Sequence, residues 1–220
     1  RIPIILPNRT SETCPTNLSY CVIGLAITDY TVSELNEAAV YFRDQANELA
    51  KQVSRDGKGD TEFGTFEEMA EQAANGYDVL TYDDAISVFA GSTVPVKKQG
   101  LFAAKGDTGV TVALTGEAAV NTKVPEAAMP FAMCKEMAHR MCIYSDADAV
   151  FAAFLACTRN ESINFKYSAY LMAYYYCYEA ILSIPTSTAK ATNTAIIHFF
   201  CFFMVTLLFV RSCNGGQGNA

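Results

Sequence analysis

The chain has 220 residues, 51% of them apolar and 18% charged, enough for one sizeable domain or a domain with a short appendage. A net charge of -7 and a pI near 4.8 argue against a nucleic-acid-binding surface. No run of Lys or Arg exceeds two residues, which argues against a polybasic lipid-binding patch. Among the eight cysteines (14, 21, 134, 142, 157, 177, 201 and 213) no CxxC pair occurs, so neither a zinc ribbon nor a thioredoxin-like centre is indicated. Cys134, Cys142, Cys157 and Cys177 lie in apolar, helix-like sequence, where cysteine acts as a small hydrophobe.

Residues 1–30 read as an irregular segment. Arg1-Ile2-Pro3-Ile4-Ile5-Leu6-Pro7 is too short and too rich in proline for a signal peptide. The first residue is not Met, and an upstream portion is expected. From residue 31 to 184 the signals are those of one mainly helical domain. Thr31-Val32-Ser33-Glu34 is a capping box. Leu35, Ala39, Phe42, Ala46, Leu49 and Val53 then recur every three or four residues, marking one buried helical face. The polar loop Arg55 to Asp60 ends that helix. A second box, Thr65-Phe66-Glu67-Glu68, opens a shorter helix expected to stop at Asn75-Gly76.

Between Ile86 and Asn121, glycine-punctuated β-branched stretches predict loops with one or two short strands, around Ser92 to Val96 and Gly109 to Leu114. Helices are expected over Phe131 to Met141, from Ser145 through Asp146 to Cys157, and from Tyr167 to Leu182, where Pro185 closes the last. Ala195 to Val210 is a nearly unbroken apolar run with five phenylalanines. Its 16 residues fall just short of the roughly 20 that span a bilayer. Apolar on every side, it predicts a C-terminal hydrophobic or transmembrane helix over 192–211, with a buried core helix as the alternative.

The chemistry-bearing stretch is Cys134-Lys135-Glu136-Met137-Ala138-His139. In HExxH sites two histidines four residues apart share a helical face and bind zinc, and the glutamate after the first polarises the attacking water. Glu136 and His139 keep that spacing, but Lys135 stands in the first ligand position. An isolated ExxH is a weak signal, and its ordinary reading is a solvent-facing helix.

The order of several blocks carries a resemblance. Thr115-Gly116-Glu117-Ala118-Ala119-Val120-Asn121, Pro130-Phe131 with Glu136-Met137-Ala138-His139, Phe151 with Phe154-Leu155-Ala156-Cys157, and Phe165-Lys166-Tyr167-Ser168-Ala169-Tyr170 follow in sequence. In this, residues 17 to 183 resemble an uncharacterised family of bacterial membrane proteins that contain a zinc-peptidase-like HExxH, gluzincin-like in type. The tail after Pro185 does not share the resemblance. It implies a zincin-like helical domain on the extracytoplasmic side of the cell membrane, zinc as cofactor and a peptide or protein as substrate. On this chain the implied site consists of Glu136 and Tyr167 as catalytic groups and His139 and Asp146 as metal ligands.

The departures from the family pattern cluster at that site. The first histidine is Lys135, a glycine three residues after the second is Cys142, and two glutamates seven and nine residues after it are Asp146 and Asp148. With two ligands left, zinc is expected to bind weakly or not at all. Asp146 and Asp148 also suit the start of a helix after Ser145, where acids meet the positive end of the dipole. Tyr167 suits packing as well as an oxyanion contact, and Lys135 could pair with Asp146 where a metal once bridged the two. The expected function is a membrane-associated, metallopeptidase-like protein with lost or impaired catalysis. The alternatives are a non-catalytic peptide- or protein-binding relative and a structural membrane protein.

Overall fold

The computed structural model describes residues 30–82, 94–99, 108–112, 115–143 and 145–184. The segment 1–29 and the hydrophobic run 192–211 lie outside them. Five α-helices and a small sheet follow in chain order: α1 (Val32–Ala50), α2 (Phe66–Tyr82), β1 (Lys97–Lys98), β2 (Gly109–Val112), β3 (Glu117–Val120), α3 (Met129–Arg140), α4 (Asp146–Arg159) and α5 (Ile163–Ser183). Mainly α was the expectation. The sheet has three strands rather than one or two, and β1 falls just past the expected Ser92 to Val96 stretch.

Both capping boxes form. The Thr31 hydroxyl accepts from the Glu34 amide and Glu34 accepts from the Thr31 amide. The same reciprocal pair joins Thr65 and Glu68. Leu35, Ala39, Phe42 and Ala46 are buried as their spacing requires. The expected stop at Asn75-Gly76 is overturned, because α2 runs on to Tyr82. Gly76 serves close approach instead of a cap: a Cβ there would lie 2.4 Å from the Ala156 carbonyl oxygen of α4. α5 likewise begins earlier than expected, at Ile163 after Asn160 and Ser162.

The central helix is α4, which packs against α2, α3 and α5 and buries every residue from Ala147 to Cys157. Burial on all sides explains why its sequence lacks a polar stripe. α3 lies between α4 and the sheet. Buried polar partners tie these layers together. Tyr77 donates to the Cys134 carbonyl at 2.7 Å, and Ser168 of α5 accepts the Phe131 amide in the first turn of α3. The Asn160 amide donates to the Gln72 carbonyl at 2.6 Å. Each satisfies a group that would otherwise be buried without a partner.

The sheet runs β1-β3-β2. β1 is parallel to β3, and β2 is antiparallel to it in the register Gly109↔Val120 to Val112↔Glu117. Gly116, at φ +65, makes the turn between β2 and β3. Among the described residues β2 is therefore an edge strand, lying beside α3.

Candidate functional site

α3 carries the ExxH stretch, and it is not a solvent-facing helix. Glu136 is buried, and Lys135 exposes only 13% of its side chain. The helix ends in a Schellman motif, with the Ile143 amide donating to the Ala138 carbonyl and the Cys142 amide to the His139 carbonyl. Cys142 sits at φ 66, a left-handed position suited to glycine. The tight turn returns the chain so that α4 packs antiparallel on α3: His139 meets Asp146 at one end, and Cys157 meets the Pro130 carbonyl at the other.

At the turn, three side chains converge. The Asp146 carboxylate oxygen Oδ1 lies 3.0 Å from Lys135 Nζ and 3.0 Å from His139 Nε2. His139 Nδ1 lies 2.9 Å from the Ile143 carbonyl oxygen. A carbonyl accepts only, so Nδ1 carries a proton, and a carboxylate facing Nε2 favours a proton there too. Both contacts favour the protonated form of His139. Burial pulls its pKa down, but the Asp146 and Ile143 hydrogen bonds and the Glu136 charge outweigh that and raise it. Asp146 is held far below the ordinary carboxylate range, first by the His139 bond and then, against partial burial, by Lys135.

Glu136 points to the other side, under β2. The Thr111 hydroxyl lies 3.1 Å from its carboxylate and 3.2 Å from its backbone carbonyl. Burial raises the Glu136 pKa, against the opposing pull of His139, Lys135 and the Thr111 bond. Gly109 clears the space: a Cβ there would come within 2.6 Å of Glu136 Cγ. Tyr167 is placed elsewhere. Its ring meets Phe63 edge-on at 6.3 Å, and among the described residues it is no partner of Glu136, His139 or Asp146. Among the described residues, Tyr176 of α5, packed on Phe131, feels the site: burial, then the Asp146 charge, raise its pKa.

These residues do not fit a zinc ion. Two donors remain, His139 and Asp146, and the Asp146 oxygen that faces His139 already holds the Lys135 ammonium. Among the described residues no three His, Cys, Asp or Glu side chains converge as a ligand group. Asp148, buried at the N-terminus of α4, points to no such group. Its amide donates to the Ser145 hydroxyl at 3.4 Å, and burial pushes its carboxyl pKa up to about 6.

Of the residues singled out from the sequence, Lys135, His139 and Asp146 come together, Glu136 lies next to them but turns to Thr111, and Tyr167 is elsewhere. Thr111, Gly109 and Tyr176 went unnoticed. The alternation in Gly109-Val110-Thr111-Val112 places the glycine and the threonine on one face, a cue that something packs there. Nothing in the sequence singles Tyr176 out among twelve tyrosines.

The profile of a family described as "Protein of unknown function (DUF3810)" matches residues 19–207. The match runs beyond residue 183 into the hydrophobic tail, which the resemblance read from the sequence had left out. No curated protein and no solved structure matches the chain.

Proposed function

The chain belongs to the DUF3810 family, and from that premise we propose that it is a membrane-associated, metallopeptidase-like protein whose cleft binds an extended peptide without hydrolysing it. One observation carries the reading. Lys135 Nζ and His139 Nε2 both contact the same Asp146 oxygen at 3.0 Å, so an internal cation stands where the HExxH arrangement would place its metal. Glu136 keeps the sequence spacing of a general base, but its carboxylate is engaged by the Thr111 hydroxyl.

The edge of β2, unpaired among the described residues, supports the binding half of the proposal. The Asn121 amide bonds to the Thr108 carbonyl, and bonded pairs alternate along an antiparallel ladder. Gly109 and Thr111 therefore direct their backbone groups outward, beside Glu136. A peptide can add there as a further strand through main-chain hydrogen bonds, a mode that tolerates varied side chains. Association with the membrane rests on the apolar run Ala195 to Val210.

The test is elemental analysis of the purified natural chain, paired with hydrogen exchange in the presence of casein-derived peptides. The expected result is substoichiometric zinc, no casein cleavage, and slowed exchange of the Gly109 and Thr111 amides. Stoichiometric zinc with cleavage that Glu136→Gln abolishes would return the protein to the active peptidases.

A further inference from the structure

α5 presents an outer face that the described residues leave uncovered. Its inner stripe, Phe165, Ala169, Ala173, Cys177 and Ala180, is fully buried, and the small residues let α1 approach closely. From Tyr167 to Ser183 the helix carries a single charged residue, Glu179. Tyr175, Tyr178 and Leu182 are 48%, 46% and 61% exposed. At spacings of three and four they lie within one 60° sector of the helix. This is a contiguous apolar stripe on the C-terminal half of the helix, rather than scattered surface residues.

We propose that Tyr175, Tyr178 and Leu182 rest on the surface of a lipid bilayer, with the tyrosine rings at headgroup depth and Leu182 deeper. Three observations select the bilayer as the occupant. The chain leaves α5 at Ile184 and enters the 16-residue apolar run at Ala195, eleven steps later. Eleven residues span at most about 40 Å, so a tail in the membrane holds this end of α5 near it and raises its effective concentration there. The residue types also fit: a tyrosine buries an apolar ring while its hydroxyl stays hydrated, which is why tyrosines gather at membrane interfaces. The third observation is charge. With -7 on the whole chain and no Lys or Arg on α5 beyond Lys166, the surface that fits is zwitterionic, and an anionic one is repelled. The inference rests on the membrane association proposed above.

The chain has no tryptophan, so one can be introduced as a reporter. The full-length Leu182→Trp variant is mixed with phosphatidylcholine vesicles with or without brominated acyl chains, and Val112→Trp, exposed on the sheet, serves as the comparison. The expected result is a blue shift and bromine-dependent loss of emission for Leu182→Trp, with neither for Val112→Trp. The triple change Tyr175→Ser, Tyr178→Ser, Leu182→Ser should weaken vesicle partitioning by about tenfold. Adding phosphatidylserine should weaken it for the natural chain. These surface changes leave the core intact, which circular dichroism checks. Flotation of the protein with vesicles but no quenching at Leu182→Trp overturns the stripe and leaves the tail reading standing. No flotation at all overturns both. A concentration-dependent dimer that the triple change dissolves, without lipid quenching, assigns the face to a second copy and also overturns the proposal.

Discussion

Replacing Lys135 by histidine should convert the site into one that holds zinc, and the gain can be worked from the geometry. A zinc ion bound to Asp146 Oδ1 would sit about 2 Å from that oxygen. Lys135 Nζ is 3.0 Å from the same oxygen, so the ammonium would lie within about 5 Å of the metal. Repulsion between a unit charge and a double charge at that distance is about 7 kcal/mol at an effective dielectric of about 20. Asp146 is 44% exposed, and water screens much of it. A third of the value, about 2 kcal/mol, still corresponds to about thirtyfold in affinity. The new imidazole adds a ligand on the same helical face as His139, so the total gain should reach at least about 100-fold. Lys135→Met removes the charge without adding a ligand and should recover the electrostatic part alone. Lys135→His with Asp146→Glu restores the reach of the longer acid. Competition with a chromophoric zinc chelator gives the affinities, and elemental analysis gives the stoichiometry. Uptake should rise with pH as His139 gives up its second proton. If the double variant binds no more zinc than the natural chain, this turn was never a metal site and the peptidase ancestry fails with it.

Three further outcomes follow from individual contacts. Asp148 has its pKa raised from 3.8 to about 6 by burial, so its protonated form favours the fold and its contribution is lost as pH rises from about 4 to about 6. Asp148→Asn should therefore raise urea-unfolding stability at pH 7 by about 1–3 kcal/mol and change it little at pH 4; a gain independent of pH would refute the burial argument. Gly76→Ala would gain roughly 1 kcal/mol in an ordinary helix. Here the Cβ would meet the Ala156 oxygen at 2.4 Å, so thermal unfolding should instead report a loss of about 2–4 kcal/mol. Cys142→Gly removes the strain of a left-handed cysteine and should stabilise by about 1 kcal/mol; an unchanged midpoint would mean the turn carries no strain.

Local signals were legible because they depend on neighbours in the chain. The two capping boxes, the buried face of α1, the helix start at Ser145 and the pairing of His139 and Lys135 with Asp146 all follow from spacings of three to eleven residues. The fate of Gly76 was not legible. Next to Asn75 it reads as a helix end, and only the passage of Ala156 across α2 reveals it as a contact point. The same holds for the setting of Glu136. Spacing named it as a base, but only the packing of β2, more than twenty residues away, buries it, and that burial raises its pKa against the opposing pull of the Thr111 hydrogen bond. Tyr167 and Tyr176 are chemically alike and sit on one helix, and a sequence cannot rank them. Which of them feels Asp146 depends on how α5 is rotated against α3, and that rotation is set by packing among α1, α3 and α4. What the sequence by itself determined is thus the presence of the helices and the spacing that puts Lys135 and His139 on one helical face. That both side chains meet one Asp146 oxygen was decided only by the Schellman turn, which brings that oxygen to within 3.0 Å of Lys135 Nζ and His139 Nε2.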